Sequence, residues 1–132
     1  MTNFDRGMIP GSLELAYMGD TIYDLFVREK LVRRGGKVKN LHKEAVSYVR
    51  ASAQSAAFLC IEDSLTEEEA DVARRARNAH QNPPKNADAA DYHRATAFEA
   101  LLGYLYLTDR RQRAEELLAR AVAFDNMEDE NK

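Results

Sequence analysis

A single cysteine, Cys60, is too few for an internal disulfide. A bridge-stapled fold is therefore not expected. Cys60 lies in the apolar run "AAFLC", reads as a buried thiol, and fits a reducing cytoplasm. No apolar run approaches the length that spans a bilayer, and "MTNFDRGMIP" lacks the basic-then-apolar order of a signal peptide. No stretch alternates strictly or concentrates β-branched residues, so strands are not expected. His42, His80 and His93 share no metal-ligand spacing with one another or with Cys60, which argues against a zinc site. There is no phosphate-cradling glycine loop and no G-x-S-x-G. A lone cysteine in an alanine-rich helix is a poor nucleophile.

What remains is helix. The 132 residues, 45% of them hydrophobic, suit one domain with a sizeable core, residues 1–132, with a frayed acidic tail over 125–132. Ser12 is placed to cap a first helix running to about Arg34, closed by Gly35-Gly36. Asn40 is placed to cap a second, continuous to about Cys60. Thr66 followed by three glutamates fits a capping box for a third, to about Ala79. "HQNPPKNADAA" interrupts the helical pattern. A fourth helix spans about Asp91 to Leu107 and a fifth about Arg110 to Phe124. The expectation is an all-α domain.

Two of these helices have too much apolar surface for an ordinary amphipathic helix. In the first, Leu15, Met18, Ile22 and Leu25 form one stripe, and Leu13, Tyr17, Tyr23 and Val27 add another. In the fourth, "ATAFEALLGYLYL" surrounds a single acid, Glu99, with Phe98, Leu101, Leu102, Leu105 and Tyr106. Each helix carries a carboxylate, Asp20 or Glu99, beside small residues: Ala16 and Gly19 in the one, Ala100 and Gly103 in the other. Small residues let helix backbones approach, which would bring the two acids face to face. An ionised carboxylate in apolar surroundings is strongly unfavourable unless paired, hydrogen-bonded or metal-bound. Two facing each other repel, and a divalent cation such as Mg²⁺ resolves both problems and offers a water for phosphoester hydrolysis. The alternative is structural: Gly19-Asp20 as a break between two short helices with Asp20 as N-cap, and Glu99 paired with Arg94 or Arg77.

Charge is uneven. Between Arg28 and Arg50 eight Lys or Arg stand against two Glu, a surplus of six, so the rest must carry −9 to give the net −3. Such a segment either faces a polyanion or is a solvated helix face.

"LAYMGDTIYDLFVR", followed some eighty residues later by "YHRATAFEALLGYLYL", resembles the ribonuclease III catalytic domain. More closely it resembles the mini-ribonuclease III group, which consists of that domain alone. The likeness runs from about Leu13 to Phe124, and "RNAHQNPPKN" resembles the group's loop. The resemblance implies a ribonuclease III-like helical bundle acting as a cytoplasmic, homodimeric, Mg²⁺-dependent endoribonuclease that cuts double-stranded RNA. The implied substrate is the 23S ribosomal RNA precursor near its paired ends, with a ribosomal protein as the implied helper that presents it. The signature aspartate falls on Asp20 and the signature glutamate on Glu99, as catalytic and metal-binding residues. Tyr17, with Met18, occupies the place of an aromatic that inserts into the partner subunit. Arg77, Asn78, Lys85 and Asn86 of the loop are the expected RNA contacts, the cations meeting phosphates and the amides 2′-hydroxyls or base edges.

The chain also departs from the larger enzymes. They carry a further glutamate four residues before the signature aspartate and an aspartate three residues before the signature glutamate, where this chain has Ala16 and Thr96. No double-stranded-RNA-binding domain is expected, so substrate capture falls to the catalytic dimer. Two other readings stand beside this one: a relative that keeps the fold but only binds RNA, and an unrelated helical DNA-binding regulator using the Arg28–Arg50 segment.

Overall fold

The structure, a computed structural model, describes residues 9–79 and 82–123. The acidic tail expected over 125–132, Phe124, and the loop's His80 and Gln81 lie outside them. The described residues form six α-helices and no strand: α1 (Ser12–Arg34), α2 (Val38–Val49), α3 (Ala51–Ile61), α4 (Glu67–Arg77), α5 (Ala89–Leu107) and α6 (Arg111–Ala121). A 3₁₀ turn, Glu62–Ser64, follows α3.

The predominantly apolar stretch of α5 from Ala95 onward explains its position. It lies at the centre, packed on α1, α3 and α4 and more lightly on α6. From Ala95 to Leu105 every residue except Glu99 is buried. Phe98 meets the buried Tyr23 ring edge-on at 5.2 Å, which locks α5 to α1.

The approach of α1 to α5 is set by two glycines. A Cβ placed on Gly19 would stand 1.6 Å from the carbonyl oxygen of Glu99, and one on Gly103 would stand 2.1 Å from that of Leu15. The obstacle in both cases is main chain of the other helix, which no rotamer change can move aside.

α4 begins with the expected capping box. Thr66 Oγ1 accepts from Glu69 N at 3.1 Å and Thr66 N donates to Glu69 Oε1 at 2.9 Å. The buried Glu69 carboxylate also takes both arms of Arg113 from α6, at 2.8 and 2.9 Å. That pairing holds its carboxyl below the usual carboxylate range.

Several expectations need correction. Ser12 is the first helical residue of α1; Gly11 is the cap and offers no side-chain bond. The long second helix is two helices, broken at Arg50, whose ψ of 155° is extended, and Asn40 sits inside α2. The break frees the carbonyls of Tyr48 and Val49, and side chains from elsewhere take them: Tyr23 Oη donates to Tyr48 O at 3.0 Å, and Gln54 Nε2 to Val49 O at 2.8 Å. α4 ends at Arg77 and α6 at Ala121, earlier than expected. Cys60 is exposed, not buried. Ala57, Phe58 and Ile61 take the inward face of α3 and turn Leu59 and Cys60 outward. Nor is α1 covered all round, since Leu25 (66%) and Tyr17 (83%) are exposed.

The glycine contact makes a sharp prediction. Gly19→Ala should destabilise the fold by about 3 kcal/mol, the upper part of the range for overpacking, because main chain must separate. Denaturant midpoints check it; a loss under about 1 kcal/mol would mean that the α1–α5 spacing is soft.

Candidate active site

The helix crossing that needs Gly19 also places its neighbour Asp20 beside Glu99. α1 runs through Gly19-Asp20 without interruption, so Asp20 is not an N-cap. The two carboxyls share a cleft of about 370 Å³. Leu13, Ala16 and Tyr17 line it from α1, Val49 and Ala51 from the α2–α3 junction, Gln54 from α3, and Tyr92, Ala95 and Thr96 from α5.

The two acids differ in exposure. Asp20 is exposed, which corrects the expectation of a pair directed into the core; Glu99 is largely enclosed. Burial, followed by the Asp20 carboxyl facing it, pushes the Glu99 pKa up to about 8, against a smaller opposing contribution from the Gln54 amide. Neither arginine considered as a partner reaches Glu99. Arg94 stands 3.9 Å from Asp91 and 3.5 Å from Ser55 Oγ, and Arg77 stands 3.9 Å from Glu62. Thr96 spends its hydroxyl on Tyr92 O at 3.0 Å. Among the described residues no group of three or more His, Cys, Asp or Glu gathers in metal-binding fashion, so the acidic complement of the cleft is this one pair.

The other predicted residues lie away from the core. Tyr17 projects from α1 beside the cleft, while Met18 is half-buried. Asn78 caps the C-terminus of α4, and Lys85 and Asn86 are exposed in the turn that precedes Asp88, the N-cap of α5. In the basic segment Arg28, Arg33 and Arg34 pair with Asp24, Glu29 and Glu44. Lys37, Lys39, Lys43 and Arg50 are exposed.

Gln54 was not anticipated. It is buried at 3% exposure among cleft residues, and its Oε1 has no hydrogen-bond partner. The available signal was a single long polar side chain among the small and apolar residues of "ASAQSAAFLCI". An amide does not titrate, so a search for charges passes over it.

The electrostatics predict a pH dependence in metal-free protein. A carboxyl that holds its proton more tightly folded than unfolded stabilises the fold most at low pH. That contribution is lost as pH rises from about 4.5, where the unfolded chain ionises, to about 8, where the folded protein does. Glu99→Gln, which cannot ionise, should escape the loss. With chelator present it should exceed wild type at pH 8 by on the order of 2 kcal/mol, and the two should converge near pH 4.5. Equal denaturant midpoints across that range would refute the facing pair.

Comparison with known proteins finds relatives of both the sequence and the fold. The family profile described as Ribonuclease III domain matches residues 13–110. Mini-ribonuclease 3 of Symbiobacterium thermophilum is 49% identical over 114 residues, covering 85% of this chain and 88% of that protein. Mini-ribonuclease 3 of Streptococcus pneumoniae is 39% identical over 122 residues, covering 89% and 94%. In three dimensions the chain is similar to the crystal structure of protein FN1578 from Fusobacterium nucleatum, with a TM-score of 0.77 at 30% identity, over 82% of this chain and 84% of that one.

Proposed function

Because the chain belongs to the ribonuclease III family, and is an endoribonuclease, we propose that it cuts double-stranded RNA with Mg²⁺ held by Asp20 and Glu99. The observation that carries this reading is the carboxyl pair in the cleft, which raises the Glu99 pKa and finds no cationic side chain to relieve it.

The residues present suit a hard divalent cation. Mg²⁺ accepts one or two carboxylates and keeps several waters, so a pair suffices where a caged site would need more ligands. The buried Oε1 of Gln54, an acceptor without a donor, suits a hydrated ion better than a bare one. When bound, Mg²⁺ supplies the positive charge that offsets charge developing on a phosphodiester and lowers the pKa of a water. Glu99, half-buried on α5, sets the position of the site, and Asp20, at its exposed side, faces the incoming backbone. Hydrolysis in line with the P–O3′ bond leaves a 5′-phosphate and a 3′-hydroxyl.

The natural substrate in this reading is the 23S ribosomal RNA precursor in the cytoplasm, with a ribosomal protein presenting the paired ends. Arg77, Asn78, Lys85 and Asn86 would follow the duplex beside the cut, joined by the exposed Lys37, Lys39, Lys43 and Arg50. Two copies would dimerise through α1. Leu13, Tyr17 and Leu25 expose apolar surface along that helix, a feature uncommon on a monomer.

Two outcomes test this. Asp20→Asn and Glu99→Gln should each lower Mg²⁺-dependent cleavage of long duplex RNA by about 10³-fold, the equivalent of several kcal/mol of charge stabilisation, with circular dichroism unchanged. In Ca²⁺, where binding can be read without cutting, Lys85→Ala should weaken duplex affinity and reduce the salt slope by about one phosphate contact. Near-native cleavage by either acid variant would remove the metal-site assignment, and an unchanged slope would leave the loop a plain connection. For the dimer, sedimentation at micromolar concentration should give twice the chain mass, and Tyr17→Glu should give monomers. A wild-type monomer would overturn that part.

A further inference from the structure

Gln54 lines the cleft from the first turn of α3, just past the break at Arg50. Its amide can be oriented without ambiguity. One terminal atom stands 2.8 Å from the carbonyl oxygen of Val49, and only a nitrogen can do so, since two oxygens at that distance would repel. Nε2 is therefore the atom bound to Val49, and the other terminal atom is an oxygen that can only accept.

That oxygen is buried and has no donor. No polar group of the cleft makes that bond. The Thr96 hydroxyl donates to Tyr92 O and the Tyr23 hydroxyl to Tyr48 O, and Asp20 and Glu99, once they hold a cation as carboxylates, only accept. A buried acceptor left bare is costly, and in a folded protein it calls for a bound partner. A hydrated divalent cation brings polarised waters, which are strong donors, into the same cleft.

We propose that Gln54 positions the metal: its Oε1 accepts a hydrogen bond from a water of the cation held by Asp20 and Glu99, while its Nε2 anchors that water to the α2–α3 break through Val49. This rests on the metal reading above. It makes Gln54 a positioning residue, acting through the cation's hydration and not on the phosphodiester itself.

The test is Mn²⁺ titration of the full chain without RNA, following the free-ion electron paramagnetic resonance signal, with thermal melts in chelator beside it. Gln54→Met keeps length but loses both polar atoms; Gln54→Glu keeps an acceptor oxygen, adds charge and loses the donor. Both should melt below wild type, because both lose the Val49 bond. Their metal affinities should diverge: about tenfold weaker for Gln54→Met, the lower end for lost supporting bonds at metal sites, and tighter for Gln54→Glu. A purely structural role would lower both melting temperatures and leave both affinities at the wild-type value, which would overturn the inference. So would unchanged Mn²⁺ affinity together with weaker binding of duplex RNA in Ca²⁺, for then the donor is a ribose hydroxyl. If Gln54→Met does not fold, Gln54→Glu decides alone, with affinity no tighter than wild type counting against the inference. Asp20→Asn serves as the control. If it leaves Mn²⁺ binding intact, the metal reading itself fails; if it weakens binding while the Gln54 variants do not, only the role of Gln54 fails.

Discussion

The fold and the site both depend on the contact of two helix backbones. Gly19 lies against the carbonyl of Glu99, and Gly103 against that of Leu15, at distances that leave no room for a Cβ. Because Asp20 follows Gly19 directly, and Glu99 supplies the carbonyl that Gly19 touches, the same contact fixes the separation of the two carboxyls. The acids are thus positioned by main chain, the stiffest part of the structure, and not by long side chains or a loop. A change that widened the helix spacing would unmake the site before it unfolded the protein.

The two carboxyls experience that contact differently. α5 is so thoroughly enclosed that Glu99 is the one residue between Ala95 and Leu105 that is not buried. Asp20 keeps access to water and leaves the electrostatic cost to Glu99, whose proton is held to about pH 8. Near neutrality Glu99 in the metal-free site therefore favours its neutral form. A site that is least comfortable when both acids are charged is ready for a counter-charge.

Much of this was legible in the sequence because it is local. Helical apolar spacing, the Thr66–Glu69 capping box, the closing glycines and the small residues flanking Asp20 and Glu99 are written within a few positions of one another. The misreadings share a different cause. Nothing in "SYVRASAQ" breaks a helix by itself: there is no proline or glycine, and Arg50 is an ordinary helix former. The break is stable because Tyr23, from α1, and Gln54, from the next helix, cap the carbonyls it exposes. Cys60 was misplaced for a related reason. Its apolar neighbours suggested burial, but which side of α3 faces inward is decided by packing on α5. The importance of Gln54 follows from both effects, since its role exists only once the break exists.

The cleft also shows how an acid-poor site can remain self-consistent. Ala16 and Thr96 line the cleft and neither adds charge; the Thr96 hydroxyl is turned back onto its own helix. In the proposed site two carboxylates and one divalent cation would balance locally, so Glu99 could ionise within its enclosure without leaving net charge behind. Acids placed at positions 16 and 96 would double the negative charge and require a second cation to balance it. In that reading a single pair would leave the remaining coordination to water, and the orientation of water would have to come from neutral groups. Gln54 is the polar side chain in the cleft best placed for that, because its nitrogen is fixed on Val49 and its oxygen is uncommitted. A neutral amide orients water without disturbing the charge balance on which Glu99 depends.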